Sequence, residues 1–64
     1  MSETPFKSEV YLCTGEAAAQ FELRSTLHGP WEMWNSFGVL VETYSAENAT
    51  DAIDQAECDG YVFP

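Results

Sequence analysis

Cys13 and His28, in this 64-residue chain, are of types that could act together as a nucleophile and its base. A cysteine so used needs an imidazole within hydrogen-bond reach. Nothing in their spacing brings them together, and a cysteine otherwise behaves as a small apolar residue. The chain has no Gly-x-Ser-x-Gly, no phosphate-cradling glycine loop and no His-Glu-x-x-His. Two cysteines without a C-x-x-C and a single histidine cannot supply a four-ligand Cys/His zinc site without carboxylates. Glu57-Cys58-Asp59-Gly60 does not follow the ligand order of a calcium loop. Carboxylate pairs for glycoside chemistry can be drawn at will from eleven acids, so they carry no signal. The chemistry expected is binding, with no catalytic residue, metal or cofactor.

The acids themselves hold the information. Eleven carboxylates face only Lys7 and Arg24, a formal net charge of -9. Such a balance opposes unaided binding to nucleic acid or to an anionic membrane, because both are held by Lys and Arg. It favours basic protein partners. Glu42, Glu47, Asp51, Asp54, Glu57 and Asp59 follow one another with no basic residue between them. On a helix, Asp51, Asp54 and Glu57 would be neighbours, and like charges at that spacing cost about 0.2–0.5 kcal/mol per pair. Asp59 near a helix C-terminus adds an unfavourable dipole interaction. A helix selected for solubility alone would intersperse lysines. A row of carboxylates on a rigid element resembles a row of phosphates, and would fit a Lys/Arg channel built for nucleic acid. The plainer alternative is an ordinary solvated helix face.

Trp31, Met33 and Trp34 form the second feature. The tryptophans either complete a small core or anchor a partner, since Trp is enriched at interface hot spots. Trp31 and Trp34 are therefore kept with the six acids as candidate partner-binding residues.

These groups need elements to position them. Residues 1–7 are expected to form a flexible arm and residues 8–64 a single domain. Val10 and Leu12 alternate with Glu9, Tyr11 and Cys13, which predicts a strand with Val10 and Leu12 on its apolar face. Thr14-Gly15-Glu16 is a turn signal. In residues 17–27 the three alanines favour helix, but Ala19, Phe21, Leu23 and Leu27 share one parity. A second strand paired as a hairpin is the reading taken, with helix as its competitor. Gly29-Pro30 breaks the chain, and Pro30 is expected to open a helical turn carrying Trp31, Met33 and Trp34. Phe37–Tyr44 reads as a strand with Val39 and Val41 inward. Asn48 is an N-cap, Ala49, Ala52, Ile53 and Ala56 form an apolar stripe, and Gly60 is a stop, giving a helix over about 49–59. Tyr61-Val62-Phe63 adds a short strand or plugs the core. The fold class expected is α+β: a small antiparallel sheet of three to four strands with one helix on one face. The N-terminus lacks the pattern of a signal peptide and no stretch is long enough to span a bilayer, so a cytoplasmic location with free Cys13 and Cys58 is expected.

In its length, its -9 charge, its Asp51/Asp54/Glu57 face and its α+β pattern around residues 37–59, the chain resembles the small acidic phage-encoded anti-CRISPR proteins that mimic DNA, and among them inhibitors of type I-C systems. The resemblance implies a role in the infected bacterial host. The partner it implies is a multisubunit surveillance complex bound where target DNA enters, at its PAM-reading large subunit. Two other classes fit the same composition. One is an antitoxin-like or regulatory inhibitor of a single basic enzyme. The other is a haloadapted structural domain, against which the excess of Glu over Asp and the two tryptophans count.

Overall fold

The structure, a computed structural model, describes residues 7–64. The expected N-terminal arm therefore lies outside the described residues except for Lys7, which is exposed and outside any strand. Four strands make one antiparallel sheet in chain order, β1 Val10–Thr14, β2 Gln20–Arg24, β3 Trp31–Asn35 and β4 Leu40–Tyr44. Helix α1, Ala49–Cys58, lies across one face. This is the α+β arrangement expected from the sequence.

The β1–β2 hairpin confirms strand over helix for Gln20–Arg24, with Leu23 fully buried and Phe21 packed against the core. Leu27 does not continue it; the strand ends at Arg24 and Leu27 is exposed. Gly15 donates its amide to the Ala19 carbonyl at 2.8 Å. A Cβ at Gly15 would come within 2.7 Å of the Phe21 ring, which itself meets Tyr61 edge-on at 5.0 Å. The turn is closed by Ala17 and Ala18, both left-handed with φ of 57° and 59°. An L-residue pays about 1–2 kcal/mol for that conformation.

Residues 31–35 correct the sequence reading. They are a strand, not a connection with a helical turn. Proline fixes only its own φ, which suits a strand entry as well as a helix start. Thr26 sets the approach, its hydroxyl accepting from the Gly29 amide at 3.0 Å and donating to the Pro30 carbonyl at 2.8 Å. Once β3 lies between β2 and β4, ladder bonds on both sides outweigh any local helical preference.

Facing also differs from expectation in β1 and β4. Cys13 and Tyr11 turn to the helix side, leaving Val10 and Leu12 exposed. In β4 it is Tyr44 that is buried, while Phe37, Val39, Leu40 and Val41 are exposed. Phe37 is not in the strand but at a turn, where the Asn35 side chain accepts from the Phe37 and Val39 amides at 2.9 Å each. Gly38 supplies the positive φ of 79°. A bulge follows: Met33 faces Glu42 while Trp34 faces Leu40, so Val41 is the extra residue that resets the parity.

The core is small. Cys13, Leu23, Trp31, Met33 and Tyr44 from the sheet meet Ala52 and Ala56 of α1, and Leu23 and Met33 are completely buried. The alanine stripe allows α1 to lie close. Its ends are fixed as the sequence indicates. Asn48 accepts from the Asp51 amide at 2.9 Å. At the other end Gly60 is left-handed at φ 103°, its amide reaching the Glu57 carbonyl and that of Tyr61 reaching the Ala56 carbonyl, a Schellman closure. Gln55 donates to the Ser45 carbonyl at 2.7 Å and ties the helix to the end of β4. Tyr61 and Phe63 then pack on the core, and Val62 exchanges two backbone bonds with Thr14 along the outer side of β1.

Candidate functional site

Helix α1 points its alanines at the sheet, so Asp51, Asp54 and Glu57 must face away, and all three are exposed, as is Glu47 just before the helix. Among the described residues the single ion pair is Arg24–Glu22 at 2.7 Å. Among the described residues none of the acids on α1 is in an ion pair. Steps of three residues at about 1.5 Å rise put a carboxylate every ~4.5 Å along the axis. One strand of duplex DNA carries a phosphate every ~3.4 Å. The helix face thus offers roughly three-quarters of the charge density of a single strand, over two steps.

Glu42 and Asp59 sit differently. Asp59 is the helix C-cap, and Tyr44 donates its hydroxyl to Asp59 Oδ2 at 2.8 Å. That bond compensates for the carboxylate's poor position at the negative end of the helix, a compensation not visible in the sequence. Burial pushes the Tyr44 phenol well above its ordinary 10.0, helped by the Asp59 hydrogen bond and by the nearby charges of Asp59, Tyr61 and Glu42. Tyr61 is raised too, by burial and then chiefly by Glu42. Glu42 stands opposite Met33 on the helix side of the sheet yet remains exposed, because β4 is the last strand. Glu42 and Asp59 thus extend the acidic surface from the helix to the edge of the sheet.

The two tryptophans separate. Trp31 is buried, 6% exposed, beside Tyr11 with ring centroids 6.1 Å apart. It belongs to the core and offers almost no exposed surface. Trp34 points to the opposite, open face. There its indole donates to Glu32 at 3.0 Å, and the Arg24 guanidinium lies 4.9 Å above its ring while pairing with Glu22. Trp34 and the acids of α1 therefore lie on opposite sides of the sheet and do not form one patch.

Cys13 and His28 are not together either. Cys13 is buried beneath the helix, its thiol 3.8 Å from the Phe21 carbonyl and 3.7 Å from the Met33 sulfur, and burial raises its pKa above the ordinary 9.0. His28 is exposed in the loop between β2 and β3. Cys58 is exposed, and both cysteines are free. Among the described residues no three His, Cys, Asp or Glu side chains are grouped to hold a metal ion, and no helix is long and apolar enough to cross a membrane.

No family model, curated protein or solved structure matches this chain.

Two features escaped the sequence reading. One is the open sheet face, where Leu12, Glu22, Trp34 and Leu40 stand in one cross-strand row. Near its end a depression of about 350 Å³ is lined by residues that include Leu12, Gln20, Glu22, Ser36 and Val62. The other is Phe37, 87% exposed at the tip of a turn. The turn residues Asn35, Ser36 and Gly38 around Phe37 were the available signal.

Proposed function

We propose that this domain is an inhibitor by binding. It sets the carboxylates of α1, together with Glu47, against a Lys/Arg surface that a nucleic-acid-binding protein uses for its nucleic acid, and so keeps that ligand out. The observation that carries the reading is the row Asp51, Asp54 and Glu57, exposed on the outer face of a capped helix and, among the described residues, in no ion pair. Like charges held at this spacing work against the helix, so a function that uses them explains why they are kept. Oriented charge of this density steers diffusion toward a basic channel and is strongest at low salt. Glu42 and Asp59 broaden the same surface at the end of β4.

The target that the family resemblance implies is the surveillance complex of a type I-C system, at the large subunit that reads the PAM, in the cytoplasm of an infected bacterium. The reading is tested by competition between the protein and a labelled target duplex for the purified complex at near-physiological salt. Wild type is expected to displace the duplex, and Asp51→Lys/Asp54→Lys is expected to lose that ability while staying folded. A folded wild type that leaves duplex binding unchanged removes this target.

A further inference from the structure

We infer that the outer edge of β4 takes up an extended basic segment of the protein partner as a fifth strand, with its cations on the helix side and its apolar side chains on the open side. The inference rests on the reading that the partner is basic and adds the backbone mode of its capture. The two edges of the sheet are unequal: β1 is bridged at Thr14 by Val62, whereas β4 ends the sheet. A terminal strand presents unpaired N–H and C=O groups that template another strand. Phe37, Val39, Leu40 and Val41, half of the large exposed apolar residues among the described ones, lie on β4 or the turn leading into it. Natural edges are commonly guarded by lysine, proline, other charges or bulges. Lysine and proline are absent between Phe37 and Tyr44. The guards present are the bulge at Val41 and Glu42, an acid that repels another acidic edge but attracts a basic segment.

The sides of the edge differ in chemistry. On the helix side stands Glu42, with Asp59 beside Tyr44. On the open side stands Leu40, continuing the row from Trp34. A strand alternates its side chains between the two faces, so an occupant with basic and apolar residues in alternation meets both at once. A second copy of this chain is a poor occupant. Glu42 is the middle residue of β4, so a two-fold pairing about it sets Glu42 against Glu42, and directly opposed like charges destabilise a ladder. Each copy also carries -9. Phe37, held outward by the Asn35 turn, offers an anchor at the start of the same edge.

The test uses the isotope-labelled full chain and two short synthetic peptides of identical lysine and valine content, one alternating and one with the lysines in a block. Charge alone treats them alike; strand addition does not. The alternating peptide is expected to bind roughly tenfold more tightly, to shift the amide signals of residues 39–44, and to slow their hydrogen exchange. Leu40→Lys, at an exposed position, is expected to keep the fold and lose this binding. Equal binding of both peptides with shifts confined to residues 47–57 would overturn strand addition while leaving the acidic face as the contact. Absence of peptide binding at low salt, or a concentration-dependent dimer with protected β4 amides, would also overturn it. Duplex displacement by wild type is read separately, so failure at the edge and failure of the proposed function are distinguishable.

Discussion

Glu57 lies in the last turn of α1, three residues after Asp54, where the helix has no basic residue. Replacing it with lysine changes three interactions together. The Asp54–Glu57 repulsion, about 0.2–0.5 kcal/mol, disappears, and an attraction of about the same size replaces it. An anion at the negative helix end, costing about 0.3–1 kcal/mol, becomes a cation that gains a similar amount. All these groups are exposed, so the lower ends apply, and the substitution is worth about 1 kcal/mol in total. In a domain this small that is a rise in Tm of about 4–8 °C. Urea denaturation followed by tryptophan fluorescence, with buried Trp31 as reporter, measures it directly. In ~1 M salt, where the Debye length is about 3 Å, the gain is expected to vanish. A variant less stable than wild type, or a gain undiminished by salt, would refute the claim that the acidic row works against the fold.

Other outcomes follow from the same structure. Ala18→Gly relieves a left-handed alanine at some entropic cost and is expected to stabilise by about 0.5–1 kcal/mol in the same assay; a loss would show the turn to be unstrained. Met33→Ala empties a completely buried site and is expected to cost about 2–5 kcal/mol, enough to leave much of the chain unfolded by circular dichroism at room temperature. The phenols of Tyr44 and Tyr61 and the Cys13 thiol all have raised values in the folded protein. The folded state therefore holds these protons longer than the unfolded chain. The stability they contribute is complete below pH 9, begins to fall as pH passes 9 and 10, the ordinary values of the thiol and the phenols, and is lost as pH rises through the raised folded values. Urea midpoints measured from pH 7 to 11 should be level and then fall, less steeply in Tyr44→Phe; a flat profile would contradict the assignment.

What could be read from the chain depended on how many independent signals agreed. The helix was legible in full because Asn48, the alanine stripe and Gly60 each marked it. The β1–β2 hairpin was legible through Gly15 and the parity of Phe21 and Leu23. Facing failed in β1 because Val10, Tyr11, Leu12 and Cys13 are all apolar, so a period of two cannot say which pair is inside. In β4 the bulge at Val41 broke the period itself. Trp31–Asn35 was missed because Pro30 suits a strand entry and a helix start alike, although Trp31 and Met33 already alternated with Glu32. Of the candidate site, the exposure of Asp51, Asp54 and Glu57 followed from helical spacing alone. The split of Trp31 from Trp34 and the bond of Tyr44 to Asp59 did not, since both depend on which strands lie side by side.

That Asp54 and Glu57 oppose the stability of α1 and, with Asp51, serve binding is the core of the proposed function. It is tested most directly by giving Asp54→Lys/Glu57→Lys the same duplex-displacement titration as wild type on the surveillance complex, with folding checked in parallel. The expected result is a folded variant that no longer displaces the duplex at concentrations where wild type does so fully. A folded variant that displaces it as well as wild type would show that Asp54 and Glu57 do not serve binding.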